Sequence, residues 1–226
     1  MNVLAIIPAY NEEECIVRTV EELKDIAPWC SFVVVNDGSV DRTSYLCNQH
    51  KYPIIDLPVN LGLSYGFQAG MKYALRGGFD AAVQFDADGQ HMPQALRDLV
   101  DAMELKGSDV VIGSRFMNER KGYSARMIGS RLISAFIKLT TGKSVNDPTS
   151  GLRLYNRSAI EFFALNKEFG PEPDSIAYLI RHGFKVDEVQ VEMRERLAGE
   201  SYLNVKRSIE YMIRTCASIL FAQWFR

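Results

Sequence analysis

Short apolar runs alternate along the first half of the chain with segments in which apolar residues recur every three or four positions. The short runs predict strands, and the periodic segments predict helices. The predicted strands are Val3–Ala9, Phe32–Asn36, Ile54–Leu57, Ala81–Phe85 and Val110–Gly113. The predicted helices are Glu12–Ala27, a segment from an Asp41 N-cap to about Gln49, Ser64–Leu75 and Pro93–Leu105. Because the strands are apolar almost throughout, we expect a parallel sheet with helices on both faces.

The second half of the chain has longer helical segments. Its predicted helices are Ser124–Thr141, Pro173–His182 and Asn204–Phe225, and its predicted strands are Gly151–Tyr155 and Lys185–Met193. No internal repeat or low-complexity linker separates the halves. The pattern therefore predicts one α/β domain over residues 1–226, with a mostly parallel sheet, flanking helices and a C-terminal amphipathic helix.

Composition excludes several classes of protein. The chain is 47% hydrophobic and 24% charged, which excludes a disordered tail or a collagen-like chain. Its four cysteines form no CxxC pair and do not cluster with histidine, so we expect neither structural zinc nor disulfides, as in a reduced cytosolic chain. The N-terminus lacks the basic region of a signal peptide, and no stretch of 18 apolar residues predicts a membrane span.

The segment FDADGQH follows a buried strand and carries two acids two residues apart. Residues i and i+2 share one face of a strand, so Asp86 and Asp88 can reach the same cation. Gln90 adds a neutral oxygen, and an all-oxygen set suits Mg²⁺ or Mn²⁺ shared with substrate phosphates. By itself the motif is equally compatible with an ordinary Asp–Gly turn before a helix.

Polar residues also follow the first two strands. Asp37 could accept hydrogen bonds from a base or ribose, since ligands of α/β sheets bind beyond the carboxyl ends of strands. Tyr10 could stack on a base or pack locally. The glycine-rich segment 60–70 matches neither the Walker A nor the dinucleotide-binding pattern. Taken singly, each of these loops is also compatible with a plain strand-to-helix turn.

The ordered set of motifs is more specific than any one of them. IPAYNEE, VNDGSVDRT, NLGLSYG, FDADGQH, GSR and DPTSGLR together resemble family 2 glycosyltransferases of the GT-A fold, over nearly the whole chain. The branch they resemble most is that of dolichol-phosphate mannose synthases, which transfer sugar to polyprenyl phosphates. The resemblance implies an inverting, metal-dependent transferase for cell-surface glycan assembly. It divides the chain into a nucleotide-sugar and metal half (1–111), an acceptor half (112–202) and the amphipathic helix (203–226).

The resemblance also implies roles for individual residues. The UDP- or GDP-sugar would contact Pro8, Tyr10, Glu12, Asp37 and Asp86, and the metal would be held by Asp86, Asp88 and Gln90. The acceptor phosphate would contact Arg115, Arg131, Ser134, Arg196 and Ser201. A phosphate monoester is largely dianionic at neutral pH, so it needs cations such as Arg115 and Arg131 more than a base. Glu172 and Asp174 are the base candidates if the acceptor is instead a glycan hydroxyl.

Charge is divided unevenly along the chain. Residues 1–110 carry 8 basic and 16 acidic side chains, whereas residues 111–226 carry 18 and 12. The basic surplus lies in the window 112–143, which has seven basic residues and one acid. A solvated helix face, nucleic-acid binding and capture of an anionic lipid or phosphate would each account for it. The neighbouring transferase motifs favour the last, and a pI of about 6.0 disfavours nucleic acid.

The last helix combines an apolar stripe with basic residues and ends in Trp224 and Phe225. Such a helix suits a membrane interface, although packing on the domain or on a second subunit would explain it equally well. We therefore expect a cytoplasmic enzyme bound peripherally at the inner face of the cell membrane. A small integral membrane partner and a homo-oligomer are further expectations. A nucleotidyltransferase and a non-catalytic binding protein remain as alternatives.

Overall fold

Seven strands form one sheet in the computed structural model, which describes residues 1–117, 125–194 and 205–221. The strands are β1 (Val3–Ala9), β2 (Ser31–Asn36), β3 (Ile54–Asp56), β4 (Ala81–Gln84), β5 (Val110–Ser114), β6 (Arg153–Asn156) and β7 (Val186–Gln190). Their order is β3-β2-β1-β4-β6-β5-β7. Strand β6 runs antiparallel to β4 and β5, and the other pairs are parallel. The prediction of a mostly parallel α/β fold is confirmed.

Helices cover both faces of this sheet. Within the described ranges they are α1 (Ile16–Ile26), α2 (Thr43–Gln49), α3 (Leu63–Arg76), α4 (Ala95–Lys106), α5 (Ala125–Thr141), α6 (Arg157–Leu165), α7 (Pro173–Arg181) and α8 (Val205–Leu220). Helix α6 is absent from the expectations of the sequence. Asn156 ends β6 and caps α6, its side chain accepting a hydrogen bond from the Ala159 N–H, so no separate loop marks the change from strand to helix.

Helix α1 begins four residues later than its periodicity predicts. Asn11 has a φ of 56°, in the left-handed region, which interrupts a helical path. The backbone N–H groups of Glu12 and Glu13 then donate to side chains of Thr43 and Asp41. These bonds tie the first two strand-end loops together, so the segment after β1 belongs to a loop network rather than to a helix.

The prediction that Asp41 is the N-cap of α2 is wrong. The residue that precedes the helix is Arg42, and no side chain caps it. Asp41 instead braces the loop, because its Oδ1 accepts from the N–H and hydroxyl of Thr43 and its Oδ2 accepts from Glu13. Burial by itself raises the pKa of Asp41, but these hydrogen bonds outweigh it and hold the pKa below its usual range.

Apolar side chains fill both sides of the sheet. Alternate residues of β1 point to opposite sides, with Ile7 in the cluster that includes α1 and α4 and Ile6 in the cluster that includes α3 and α6. This two-sided burial accounts for the uninterrupted apolar run at the N-terminus. The core holds the strand ends, and the loops that follow them, in fixed positions.

Helices α5 and α8 pack against each other beside this core. A Cβ at Gly129 of α5 would overlap the Met212 side chain of α8, so glycine permits the close approach. The outward faces of the pair expose apolar side chains, namely Ile128, Leu132, Leu139, Ile213 and Phe221. Among the described residues, no helix is both long enough and apolar enough to cross a membrane.

Candidate active site

The candidate site lies at one edge of the sheet. Strands β1, β2 and β4 are parallel, so Tyr10, Asp37 and Asp86 follow them at the same edge. Strand β6 is antiparallel and therefore starts at this edge, with Arg153 paired to Gln84. The reversed strand places the DPTSG segment, residues 147–151, beside the acids that follow β4.

Three contacts, made by the side chains of Gln84 and His91, orient Asp86. The Gln84 side-chain amide donates to Asp86 Oδ1 at 2.9 Å, and the Asp86 N–H donates to His91 Nδ1 at 2.9 Å. Because Nδ1 accepts this bond, a neutral His91 carries its proton on Nε2, which lies 3.6 Å from Asp86 Oδ2. His91 is buried and holds the acid rather than adding a ligand of its own.

The rest of the turn presents a second acid. Asp88 is buried, and its Oδ1 accepts a hydrogen bond from the Gln90 N–H at 3.0 Å. Gly89 between them has a φ of 75°, a conformation that favours glycine and lets the chain turn.

The acidic turn offers oxygen donors of the kind that a divalent cation takes. The described residues contain no group of three or more His, Cys, Asp or Glu side chains arranged to hold a metal. Two carboxylates and the Gln90 amide form an all-oxygen partial set, and Mg²⁺ usually completes such a set with water and substrate phosphates. The residues of the turn therefore suit Mg²⁺ or Mn²⁺.

Gly151 of the DPTSG segment lies directly against Asp86. A Cβ on Gly151 would lie 2.9 Å from Asp86 Oδ2, closer than ordinary contacts allow. The neighbouring Thr149 also lies near α5, where its hydroxyl is 3.4 Å from that of Ser130. The segment thus connects the acidic turn with the basic helix.

Arg115 and Asp147 form a bidentate ion pair, with Nε–Oδ2 at 2.7 Å and Nη2–Oδ1 at 2.9 Å. Burial by itself raises the pKa of Asp147, but the hydrogen bonds and charge of Arg115 outweigh it and lower the pKa below its usual range. Sequence reasoning assigned Arg115 to a phosphate and missed this partner. Nη1 takes no part in these bonds, so phosphate binding through that nitrogen stays a prediction.

Asp37 is also occupied within the protein. Its two oxygens accept the backbone N–H groups of Leu61 and Gly62, each at 2.8 Å. This clasp fixes the loop between β3 and α3 over the end of β2. The predicted contact of Asp37 with a base or ribose, like those of Pro8, Tyr10 and Glu12 at the end of β1, stays a prediction.

A cavity of about 640 Å³ opens between the start of α3, the start of α7 and one face of α8. Its polar lining includes Ser64, Glu172, Asp174, Tyr211, Arg214 and Ser218. The Ser64 hydroxyl donates to Glu172 at 2.7 Å, and the Ser218 hydroxyl donates to Asp174 at 2.5 Å. Burial raises the pKa of Tyr211 to about 12, so this phenol stays protonated. The two base candidates therefore share one cavity.

The remaining acceptor candidates lie on α5 or outside the described residues. Arg131 is half-buried on α5, next to Ser130. Ser134 donates its hydroxyl to the Ser130 carbonyl oxygen within the same helix, at 3.0 Å. Arg196 and Ser201 fall outside the described residues. All four assignments stay predictions.

Comparison with known proteins places the chain in a family. The model of Glycosyl transferase family 2 matches residues 4–163. The chain belongs to glycosyl transferase family 2. This membership confirms the predicted family and the prediction that the chain is a glycosyltransferase.

Relatives of this transferase are similar over most of its length. The polyprenol monophosphomannose synthase of Mycolicibacterium smegmatis is 30% identical over 224 residues, covering 93% of this chain and 84% of that protein. The undecaprenyl-phosphate mannosyltransferase of Micrococcus luteus is 30% identical over 236 residues, covering 99% and 96%.

Solved structures of glycosyltransferases share the transferase fold. Glucosyl-3-phosphoglycerate synthase from Mycobacterium tuberculosis superposes with a TM-score of 0.68 at 18% identity, covering 96% of this chain and 79% of that one. The mannosyltransferase from Pyrobaculum calidifontis, in complex with GDP-Man and Mn²⁺, has a TM-score of 0.62 at 15% identity, covering 99% and 71%. The GT-A fold is thereby confirmed.

Several site residues of the transferase escaped the sequence reasoning. Gly151 and Asp147 belong to the DPTSGLR motif, so the motif was visible but the partners of its residues were not. Ser64 lies in the NLGLSYG motif, but its partner Glu172 was not visible there. Tyr211 and Ser218 carry no motif signal, and the packing of α8 against α7 brings them to the cavity.

Proposed function

We propose that this transferase moves a sugar, with inversion at its C1 carbon, from a UDP- or GDP-sugar to a polyprenyl phosphate in a metal-dependent reaction. Two relatives that match almost the whole chain are named for lipid-phosphate products or acceptors. The site suits such a reaction, because it combines an acidic metal turn with a basic neighbouring helix.

One observation carries the proposal: the acidic turn and the Arg115–Asp147 pair meet through a single loop. Gly151 of that loop lies against Asp86, and Asp147 of the same loop holds Arg115. A donor diphosphate bound at the turn would therefore lie close to the guanidinium, which is where an anionic acceptor needs positive charge.

On the donor side, the chain contributes orientation. Asp86, Asp88 and Gln90 would hold the cation, which supplies positive charge to the departing nucleoside diphosphate when bound. Gln84 and His91 hold the Asp86 carboxylate in place, so little reorganisation is needed when the donor binds.

On the acceptor side, the chain would bind charge rather than remove a proton. A phosphate oxygen would attack C1 from the face opposite the leaving diphosphate, which inverts the anomeric centre. Because the phosphate is already largely dianionic at neutral pH, the reaction needs no general base. We assign two guanidinium groups to this phosphate: that of Arg115, donating through Nη1, and that of Arg131.

A lipid acceptor requires access to a membrane. We assign this contact to the exposed apolar faces of α5 and α8, with the basic residues of α5 facing anionic headgroups. The enzyme would then act peripherally at the cytoplasmic face of the cell membrane. A small integral membrane partner, or a second copy of the chain, would suit the same apolar surface.

A panel of nucleotide-sugars tests the proposal. The protein is incubated with Mg²⁺ or Mn²⁺, each UDP- or GDP-sugar, and either undecaprenyl phosphate or sugar-hydroxyl acceptors. We expect a lipid-linked sugar and a released nucleoside diphosphate, both lost in Asp88→Asn. Glycosylation of a hydroxyl acceptor without any lipid product would overturn the proposal, and release of pyrophosphate would indicate a nucleotidyltransferase.

The second candidate is transfer to a glycan hydroxyl, which the acidic cavity favours. Glu172 and Asp174 line a cavity large enough for a sugar ring, and a carboxylate is a suitable general base for a hydroxyl nucleophile. In that case Glu172→Gln or Asp174→Asn would abolish turnover, whereas transfer to a phosphate would persist in at least one of them.

A further inference from the structure

Arg153 is a buried cation that the proposed reaction does not use. Only 2% of its surface is exposed, and among the described residues it is one of the largest fully buried side chains. Among the described residues, no carboxylate lies within salt-bridge distance of it. Burying an ionised group is unfavourable unless its donors are satisfied, so the partners of this guanidinium explain its presence.

Those partners are backbone carbonyl groups on two separate segments. Nε donates to Ser150 at 2.8 Å, and Nη2 donates to Pro148 at 2.7 Å. Nη1 donates to Pro171 at 2.8 Å and, more weakly, to Glu172 at 3.4 Å. The rigid guanidinium therefore clasps the DPTSG segment on one side and the segment leading into α7 on the other.

Each clasped segment carries part of the candidate site. The DPTSG segment contains Gly151, which lies against Asp86, and Asp147, which pairs with Arg115. The other segment carries Glu172 into the acidic cavity. The backbone of Arg153 is itself registered with Gln84, whose side chain donates to Asp86.

We propose that Arg153 is a positioning residue that sets the spacing between the metal-binding turn and the cavity of Glu172. The inference rests on the proposed function, since it assumes that both places bind parts of the reacting complex. The inference distinguishes metal binding from nucleoside binding. Arg153 would support the turn that binds the metal, whereas the proposed nucleoside contacts follow β1 and β2, farther along the sheet.

Arg157 serves as the control, although its side chain is 42% exposed and also pairs with Glu161. This arginine also donates to two backbone carbonyls, those of Leu75 and Phe79, at 3.2 and 3.3 Å. It lies at the other end of β6, where Asn156 pairs with Ala81, and so at the edge of the sheet opposite the site. Removing it tests the loss of a carbonyl clasp without disturbing the site.

The experiment compares Arg153→Lys, Arg153→Met and Arg157→Met with the unmodified protein. Mn²⁺ affinity is measured by electron paramagnetic resonance with nucleoside diphosphate present, alongside turnover, thermal midpoint and nucleoside monophosphate binding. Direct outer partners of metal ligands are worth roughly 10- to 100-fold in metal affinity or activity. Because Arg153 acts on Asp86 only through the segment that carries Gly151, we expect Arg153→Met to lose up to about 10-fold in Mn²⁺ affinity. Arg153→Lys, which keeps a cation, should recover part of it, and nucleoside monophosphate binding should be unchanged in both.

Arg157→Met should lower the thermal midpoint and leave Mn²⁺ affinity unchanged. If the Arg153 variants behave in the same way, with normal Mn²⁺ affinity and turnover per folded molecule, Arg153 is only structural and the inference is overturned. If Arg153→Met does not fold, Arg153→Lys decides by the same readouts. Because Mn²⁺ and nucleotide binding need no acceptor, they test Arg153 even if the lipid-phosphate assay fails.

Discussion

His91 holds Asp86 through both of its ring nitrogens, since Nδ1 accepts the Asp86 N–H at 2.9 Å and Nε2 faces its carboxylate at 3.6 Å. Replacing His91 by Ala removes both contacts and leaves the Gln84 amide as the remaining described partner of the Asp86 carboxylate. We expect Mn²⁺ affinity to fall roughly 10-fold or more. His182→Ala, which removes an exposed histidine from the end of α7, is the control, and equal Mn²⁺ affinity in the two variants would contradict the role of His91.

Gly151→Ala should displace Asp86, because the added Cβ would lie 2.9 Å from its Oδ2. The variant should therefore lose metal affinity and turnover while keeping its fold. Gly66→Ala is the matched control, since its Cβ would meet only Val35 at 3.8 Å within a helix. Replacing a helical glycine by alanine typically stabilises by about 0.5–1 kcal/mol, so the control should unfold at a slightly higher temperature with normal turnover.

Arg115→Met leaves the buried Asp147 carboxylate without its cation. Loss of one partner of a buried pair typically lowers the free energy of unfolding by about 3–5 kcal/mol. Arg42→Met breaks an exposed pair with Glu13 and should lower it by less than about 1 kcal/mol. Urea unfolding at neutral pH measures both.

The loss of unfolding free energy in Arg115→Met should depend on pH. In the unmodified protein the pKa of Asp147 lies below its usual range, so the stability from the pair is fully present above about pH 4, near the pKa of an unfolded Asp, and is lost as the pH falls further. In the variant, the side-chain bonds and charge of Arg115 are lost and only the backbone N–H of residue 115 and the Thr149 hydroxyl still oppose burial, so that pKa rises. The difference in unfolding free energy between the variant and the unmodified protein should therefore shrink as the pH falls towards about 4. An identical difference at neutral pH and at about pH 4 would refute this account.

Arg131→Ala should weaken the binding of the lipid phosphate more than the binding of the nucleotide-sugar. We expect the KM for undecaprenyl phosphate to rise by about 10- to 150-fold, since a hydrogen bond to a charged group is worth about 1.5–3 kcal/mol, while nucleotide-sugar binding stays the same. Lys106→Ala removes an exposed cation of α4, on the opposite face of the sheet from α5, and serves as the control. Equal loss of both substrates in Arg131→Ala would count against its assignment to the acceptor.

Leu132→Asp and Ile213→Asp place charge on the outward faces of α5 and α8. Both should reduce co-sedimentation with vesicles containing anionic lipid, because the exposed apolar faces are proposed to enter the interface. Leu105→Asp changes an exposed leucine of α4, away from this surface, and should bind vesicles normally. Equal vesicle binding by all three variants would show that the membrane contact lies elsewhere on the protein.

Much of the fold was accessible from local pattern. Strand β1 matches its predicted bounds, since six of its seven residues are buried and all seven read as an unbroken apolar run. Helix α1 was placed too early because Asn11 and the Thr43 and Asp41 side chains act on its first turn from across a loop. Hydrophobic periodicity indicates which residues of one element are buried, and it gives no information about partners on other elements.

The sequence by itself determined the family, the mostly parallel α/β fold and the acidic turn, because their signals are confined to short stretches of neighbouring residues. Only the tertiary structure decided which groups face one another. The antiparallel direction of β6 brings Gly151 to Asp86 and Arg153 between two loops, and the packing of α8 brings Ser218 to Asp174. These contacts join residues far apart in the chain, and their geometry follows from strand order and helix packing, which no local pattern of side chains encodes.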